Sequence, residues 1–312
     1  MRRSTPLVLL LAACGALTAC DLPGTHHTAA SDKDLNTLTA LPLDRYGFDR
    51  ADHKLLNEAR WTLGKKCMVG LGFPGFTALA PPSADPARPD EPGTVRLPSA
   101  DLDLGDKPYG IDDPGQGAKT GYHSPSPAVE NRKWPMDQYL ALTGDFRHGD
   151  ARQAHGHRIP EGGCLGQADR RIYGSRPEQD TLGGIRFKGY ELTFIRLMRQ
   201  ANGEAAKDPA HRRADKTWSS CMKKEGFSFK DPDDAQYQAE WFAGEKASRK
   251  ERRAAEADAN CKRSTGYIKA VHEVDVRIEK RLIAKNRTLL DGVVRRNRAA
   301  LRNARTITEG RS

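Results

Sequence analysis

The sequence predicts a mainly α protein: two disulfide-stapled helical modules with a long Pro/Gly-rich irregular insertion. Three observations predict it. Apolar residues recur at helical spacing over most of the chain, and strand-like alternation is nearly absent. A Cys-Met-x-x-x-Gly-Phe unit occurs twice, each time followed by a later cysteine. And 12 of the 19 prolines fall within residues 74–135, a density that forbids regular helix or central strand.

The N-terminus comes first. Arg2 and Arg3 precede an apolar run over residues 7–13, which has the length of a signal-peptide core. A transmembrane helix needs about 20 apolar residues, and no later run comes near that. The segment ends in Leu17-Thr18-Ala19-Cys20, which resembles the lipobox of bacterial lipoproteins. The resemblance implies a diacylglycerol thioether on the Cys20 thiol and cleavage just before it. Residues 1–19 are then a signal peptide, and Cys14 leaves with it. Residues 20–40 are the lipidated cysteine and a polar, flexible tether. The expected location is the outer face of the cell membrane, held by lipid.

The first module covers residues 41–200. Leu41-Pro42-Leu43-Asp44 leads into a helix expected over residues 49–68. Asp49 is placed to cap it, and Asp52 is its first-turn acid. Leu55, Leu56, Ala59 and Leu63 give the apolar face, with Trp61 on its flank. Gly70, Gly72 and Pro74 stop it. Residues 74–135 read as an extended irregular loop. Order resumes as a short helix over 134–142, again at 160–173, and as a helix over 182–199. That last helix turns Phe187, Leu192, Ile195 and Met198 inward. Residues 201–208 read as a linker.

The second module covers residues 209–312. A helix over 209–224 holds Trp218. A second runs over 233–263, with Asp231-Pro232 as its start signal. The last covers 265–305, with Val271, Val274, Ile278, Leu282, Leu289 and Val293 inward.

The repeat organises the cysteines. Trp61 precedes Cys67-Met68-Val69-Gly70-Leu71-Gly72-Phe73, and Trp218 precedes Cys221-Met222-Lys223-Lys224-Glu225-Gly226-Phe227. Gly163-Cys164 and Asn260-Cys261 follow later. Four cysteines beyond Cys20 in an exported chain favour disulfides, and four allow three pairings. The repeat selects Cys67–Cys164 and Cys221–Cys261, one in each module. No C-x-x-C pair is present, so no zinc is expected.

These motifs, with Pro160-Glu161-Gly162-Gly163-Cys164, Arg170-Arg171-x-Tyr173-Gly174 and Ala257-Asp258-x-x-Cys261-Lys262, resemble uncharacterised secreted proteins and lipoproteins of Streptomyces-type actinobacteria. The resemblance covers most of the mature chain. It implies origin and architecture and carries no activity.

Chemistry is sparse. Gly64-Lys65-Lys66 lacks the rest of a phosphate loop, and no G-x-S-x-G elbow occurs. His148, His155 and His157 with Asp145 and Asp150 form one dense cluster, read either as a metal or base site or as a solvated loop. Glu161 reads as a turn cap. No catalytic residue, cofactor or metal is expected.

Charge gives the one lead. Residues 245–312 hold 19 Lys and Arg against nine Asp and Glu, so the whole formal charge of +10 sits there. Arg277, Lys280, Arg281, Lys285, Arg295, Arg296, Arg298 and Arg302, with Arg287 and Arg305, flank the apolar stripe of the last helix. Such a face is either solvated or meets an acidic partner. Outside a membrane the anionic partners are wall polymers and lipid headgroups, not nucleic acid. The expected function is a binding or scaffolding component of the cell envelope. The alternatives are an accessory subunit of a transport or secretion complex, which needs an exposed apolar patch, and a wall-active enzyme, which needs convergent polar groups in a cleft.

Overall fold

The computed structural model describes residues 40–81, 86, 88–90, 108–123, 134–182, 185–244 and 246–310. The signal segment, Cys20, the tether and parts of the insertion lie outside them. Ten α-helices and two small hairpins make up the described chain.

Helix α1 spans Arg50–Gly70. The Asp49 carboxylate accepts from Asp52 N at 2.7 Å, satisfying one of the free amides of the first turn. Inside the insertion lies α2, Pro114–Thr120, capped by Asp113. Then come α3, Met136–Thr143, the short pair β1 Gln153–Ala154 and β2 His157–Arg158, and α4, Gly163–Tyr173.

The next stretch departs from the expected helix over 182–199. Strands β3 Glu178–Leu182 and β4 Ile185–Gly189 pair antiparallel, with Leu182 opposite Ile185 and Asp180 opposite Phe187. Phe187 is therefore a strand residue. The two residues between the strands are Gly183-Gly184, a composition that favours tight hairpin turns. Helix α5 follows, Leu192–Ala205. It absorbs most of the expected linker, and Ala201 and Ala205 are buried.

Helix α6 spans Pro209–Lys224, as expected. The long helix over 233–263 is instead broken. Helix α7, Pro232–Gln236, is followed by a 3-10 turn at Ala239–Ala243 and then α8, Arg249–Thr265. Ser248 and Glu251 form a capping box that starts α8 afresh. The last helix is also two: α9, Tyr267–Lys285, and α10, Arg287–Thr308. Asn286 folds its side chain back, Nδ2 donating to Leu282 O at 2.8 Å. The break rephases the apolar stripe. Leu290 and Val293 point inward, and Leu289, expected inward, is 40% exposed.

Both disulfides form, Cys67–Cys164 and Cys221–Cys261. The repeat is also a real backbone unit. Phe73 N donates to Met68 O at 3.0 Å, and Phe227 N to Met222 O at 2.9 Å. Gly72 and Gly226 sit at φ +92° and +87°, the left-handed turn that closes a helix in this way. Met68 and Met222 are fully buried. The likeness ends there. Cys164 lies in the first turn of α4, whereas Cys261 lies towards the C-terminal end of α8.

The cores cross the expected module boundary. One packs Trp61, Met68, Phe76 and Trp134 around Cys164. A second packs Trp218, Met222 and Trp241 around Cys261, and Tyr122 from the insertion joins it. A third seats Leu43 and Tyr46 among Val274, Ile278, Leu282 and Leu290. A fourth sets Ala300, Ala304 and Ile307 of α10 on Leu56, Ala59 and Ile172. The C-terminal helix thus closes the first module, and residues 108–123 close the second.

Candidate functional site

The basic C-terminal residues divide into two sets. Arg277 of α9 pairs with Asp208 at 2.8 Å, and Arg296 of α10 pairs with Glu178 at 2.7 Å. Arg281 pairs with Glu204. The Arg277 guanidinium leads in holding the Asp208 carboxyl below its usual range. These three pairs tie α9 and α10 to α5, to the start of α6 and to β3. Lys280 and Lys285 stand exposed on α9.

The second set is a row. Arg287, Arg295, Arg298, Arg302 and Arg305 are all exposed on α10. At about 100° per residue they fall within an arc of about 80°, and they span about 27 Å of helix. Asp291 is the one acid within the row. None of the five arginines makes an ion pair among the described residues. The apolar stripe of the same helix is already used in the core, through Leu290, Val293, Ala300, Ala304 and Ile307.

At the elbow between α9 and α10 a cavity of about 440 Å³ opens beside this row. Arg287 and Arg298 line it from α10, Arg45 from the segment before α1, and Asp52 and Asp291 face the same space. Asn297 also lines it, Nδ2 donating to Tyr46 O at 3.0 Å. Burial leads in raising the Asp52 carboxyl, Asp49 adds to it, and Arg305 pulls it down.

Two polar constellations went unread in the sequence. The first holds the insertion on α8. Lys262 and Asp258 form a buried ion pair at 2.9 Å, each side chain 1% exposed. The Lys262 ammonium also donates to Ile111 O at 3.1 Å. Asp258 accepts from Trp218 Nε1 at 3.0 Å and from the Tyr122 hydroxyl at 3.4 Å. Burial raises the Asp258 carboxyl, against the Lys262 ammonium and those two donors. Glu251, fully buried, accepts from Tyr122 N at 2.9 Å and bonds His123 Nδ1 at 2.8 Å. The approach is close: a Cβ on Gly117 would lie 2.7 Å from the Ala255 backbone.

The second constellation lies along α9. The Tyr109 hydroxyl donates to Asp275 at 2.8 Å and lies 3.3 Å from His272 Nδ1. Glu279, 3% exposed, accepts from Leu43 N at 2.7 Å. Burial pushes the Glu279 carboxyl up to about 7; Leu43 N opposes this, and Asp44 and Asp275 add to it. On the α6 side, His211 bonds Asp215 at 3.2 Å and Tyr267 donates to Asp215 at 3.0 Å. These groups partner one another, as structural seams do.

The Glu279 seam makes stability pH-dependent. A carboxyl whose folded pKa exceeds its unfolded value stabilises most when protonated. That contribution is full below about 4.5 and is lost as pH rises through about 7. Glu279→Gln keeps an acceptor for Leu43 N and carries no charge. It is expected to be at least as stable as the parent at pH 8 and to flatten the fall between pH 5 and 8. Thermal unfolding at both values checks this; an unchanged pH slope would contradict it.

The His/Asp cluster in residues 145–157 does not converge. Asp150 receives Arg147 N at 2.7 Å and the buried Arg88 guanidinium at 2.8 Å, which together hold its carboxyl below its usual range. Asp145 accepts from the Tyr139 hydroxyl at 2.7 Å. His155 bonds Leu71 O and packs edge-on against Phe73. His148 and His157 are exposed. Glu161 faces Arg176 at 3.6 Å with both largely solvated, and Lys65 reaches Thr77 O. Among the described residues no three His, Cys, Asp or Glu are placed to hold a metal ion. No described helix is long and apolar enough to cross a membrane. Large apolar side chains stand exposed at Val69, Tyr237 and Leu289, on three different elements. No known protein family, curated protein or solved structure matches this chain.

Proposed function

We propose that this protein is a lipid-anchored lipoprotein of the Streptomyces-type actinobacterial cell envelope, a binding or scaffolding component on the outer face of the membrane. Cys20 anchors it, and the arginine row of α10 binds an anionic partner. The row carries the reading. A helix used only for packing has no need of five aligned, exposed guanidiniums with a single acid, Asp291, among them. Like charges at this spacing repel by a few tenths of a kcal/mol per pair, a cost that an anionic ligand removes. The apolar stripe of α10 is already covered, so charge rather than apolar burial drives the contact. Arg45 lies 25 residues beyond Cys20, so the site lies at most about 90 Å along the chain from the lipid.

The mature chain is expected to co-sediment with purified cell wall at low salt, to need the wall's anionic polymer, and to release as salt rises. Absence of binding at low salt would end this reading and direct the search to membrane-protein partners by crosslinking. Cys20→Ser is expected to lose acyl labelling and to leave the membrane pellet. A variant still labelled and pelleted would remove the anchor from the account.

A further inference from the structure

We propose that the cavity at the α9–α10 elbow takes one polyol-phosphate or sugar-phosphate unit of a linear phosphodiester polymer, and that the arginine row carries the phosphates that follow. This rests on the envelope reading above and names the ligand of that same site.

The lining suits such a unit. Arg45, Arg287 and Arg298 all line one space of about 440 Å³. A guanidinium binds phosphate through a planar fork of two donors. Asp52 and Asp291 share the lining, and a carboxylate accepts from hydroxyl groups. Guanidiniums and carboxylates side by side fit a ligand whose phosphates alternate with hydroxyl-bearing carbons. A ligand of phosphates alone would be repelled by the two acids. Tyr46 and Phe48 supply apolar wall for the carbon backbone.

The row fits the rest of the chain. From Arg295 to Arg305 the arginines step by three or four residues, each step about 4.5–6 Å along α10, and Asp291 sits within the roughly 12 Å between Arg287 and Arg295. The shorter steps suit successive phosphates of a polyol-phosphate strand, and the carboxylate between suits a hydroxyl-bearing carbon. The cations form a line on one helix rather than a plane. A bilayer surface meets a plane of charge, offers no discrete unit to a cavity, and is best held where apolar side chains also insert. Those of α10 lie largely in the core, with Leu289 left exposed. The observations therefore favour a polymer strand over lipid headgroups.

The test uses the chain without its lipidated cysteine, residues 21–312, with glycerol 3-phosphate, synthetic glycerol-phosphate oligomers of increasing length, and phosphatidylglycerol vesicles. Affinity for the oligomers is expected to rise with length and level off once the row's about 27 Å is covered. Five neutralised phosphates give a slope of log K against log salt of about −3.5. Arg45→Ala and Arg298→Ala are each expected to weaken binding about tenfold or more. Arg296→Ala, which removes a guanidinium already paired with Glu178, is expected to leave it within about twofold. Oligomers that bind no better than glycerol 3-phosphate would overturn the proposal, as would Arg45→Ala and Arg296→Ala variants of equal affinity. Vesicles bound without oligomers would overturn the polymer and leave the envelope reading standing. Binding of neither at low salt would overturn both.

Discussion

Lys262→Met is expected to cost about 3–5 kcal/mol at neutral pH, the scale of leaving one buried charge without its partner. Among the described residues the ammonium is the sole cation bonded to Asp258, and it also holds the backbone of the insertion at Ile111. Without it, the Asp258 carboxyl rises further above its unfolded value. A carboxyl with a raised folded pKa contributes stability below its unfolded pKa and loses it as pH climbs. The variant is therefore expected to lie nearest the parent in acid and furthest from it at pH 8. Urea unfolding at pH 5 and pH 8 reads both. The local consequence is separate. Residues 108–123 lose a clamp on α8, so tryptic cleavage after Lys119 is expected to quicken in the folded state. A pH-independent cost below about 1 kcal/mol, with cleavage unchanged, would show that the pair does not hold the insertion.

Opening either disulfide is expected to cost a similar amount. Cys67–Cys164 closes 97 residues and Cys221–Cys261 closes 40. Chain entropy assigns about 4–5 kcal/mol to the first and about 4 kcal/mol to the second. Cys164 and Cys261 are fully buried, so double alanine variants also lose packing in two separate cores. Each double variant is expected to shift the urea midpoint strongly to lower concentration. A shift worth less than about 1 kcal/mol would mean that the reduced, unfolded chain is already held compact by other means.

The predictable parts of this fold are those set by neighbours in sequence. Asp49 before α1, and Pro209 and Gly226 bracketing α6, carry local capping chemistry, and both helices begin and end about where that chemistry places them. The disulfide pairing was legible because the Cys-Met-x-x-x-Gly-Phe unit is one backbone motif used twice. The β3–β4 hairpin was missed although Gly183-Gly184 is its turn signal, because the flanking apolar residues also suit a helix. The break at Asn286 was missed because the apolar spacing continues across it with only a shift of phase.

The site was half legible for the same reason. The basic residues of the C-terminal region are plain in the sequence. Their division is not, because it depends on Asp208, Glu204 and Glu178, which lie 69, 77 and 118 residues from their arginines. The docking of residues 108–123 is equally remote from local pattern. It uses Lys262, Glu251 and backbone atoms 151 and 129 residues away.

One comparison tests the division of the cations directly. Two triple variants of the mature chain would be co-sedimented with polymer-bearing cell wall at low salt. In one, Arg295, Arg298 and Arg302 become Gln; in the other, Arg277, Arg281 and Arg296 become Gln. Each loses the same formal charge. The first variant is expected to stay in the supernatant while the second still pellets with the wall, slightly less stable for its three lost surface pairs. Equal pelleting by both would contradict it, since net charge alone would then explain the binding.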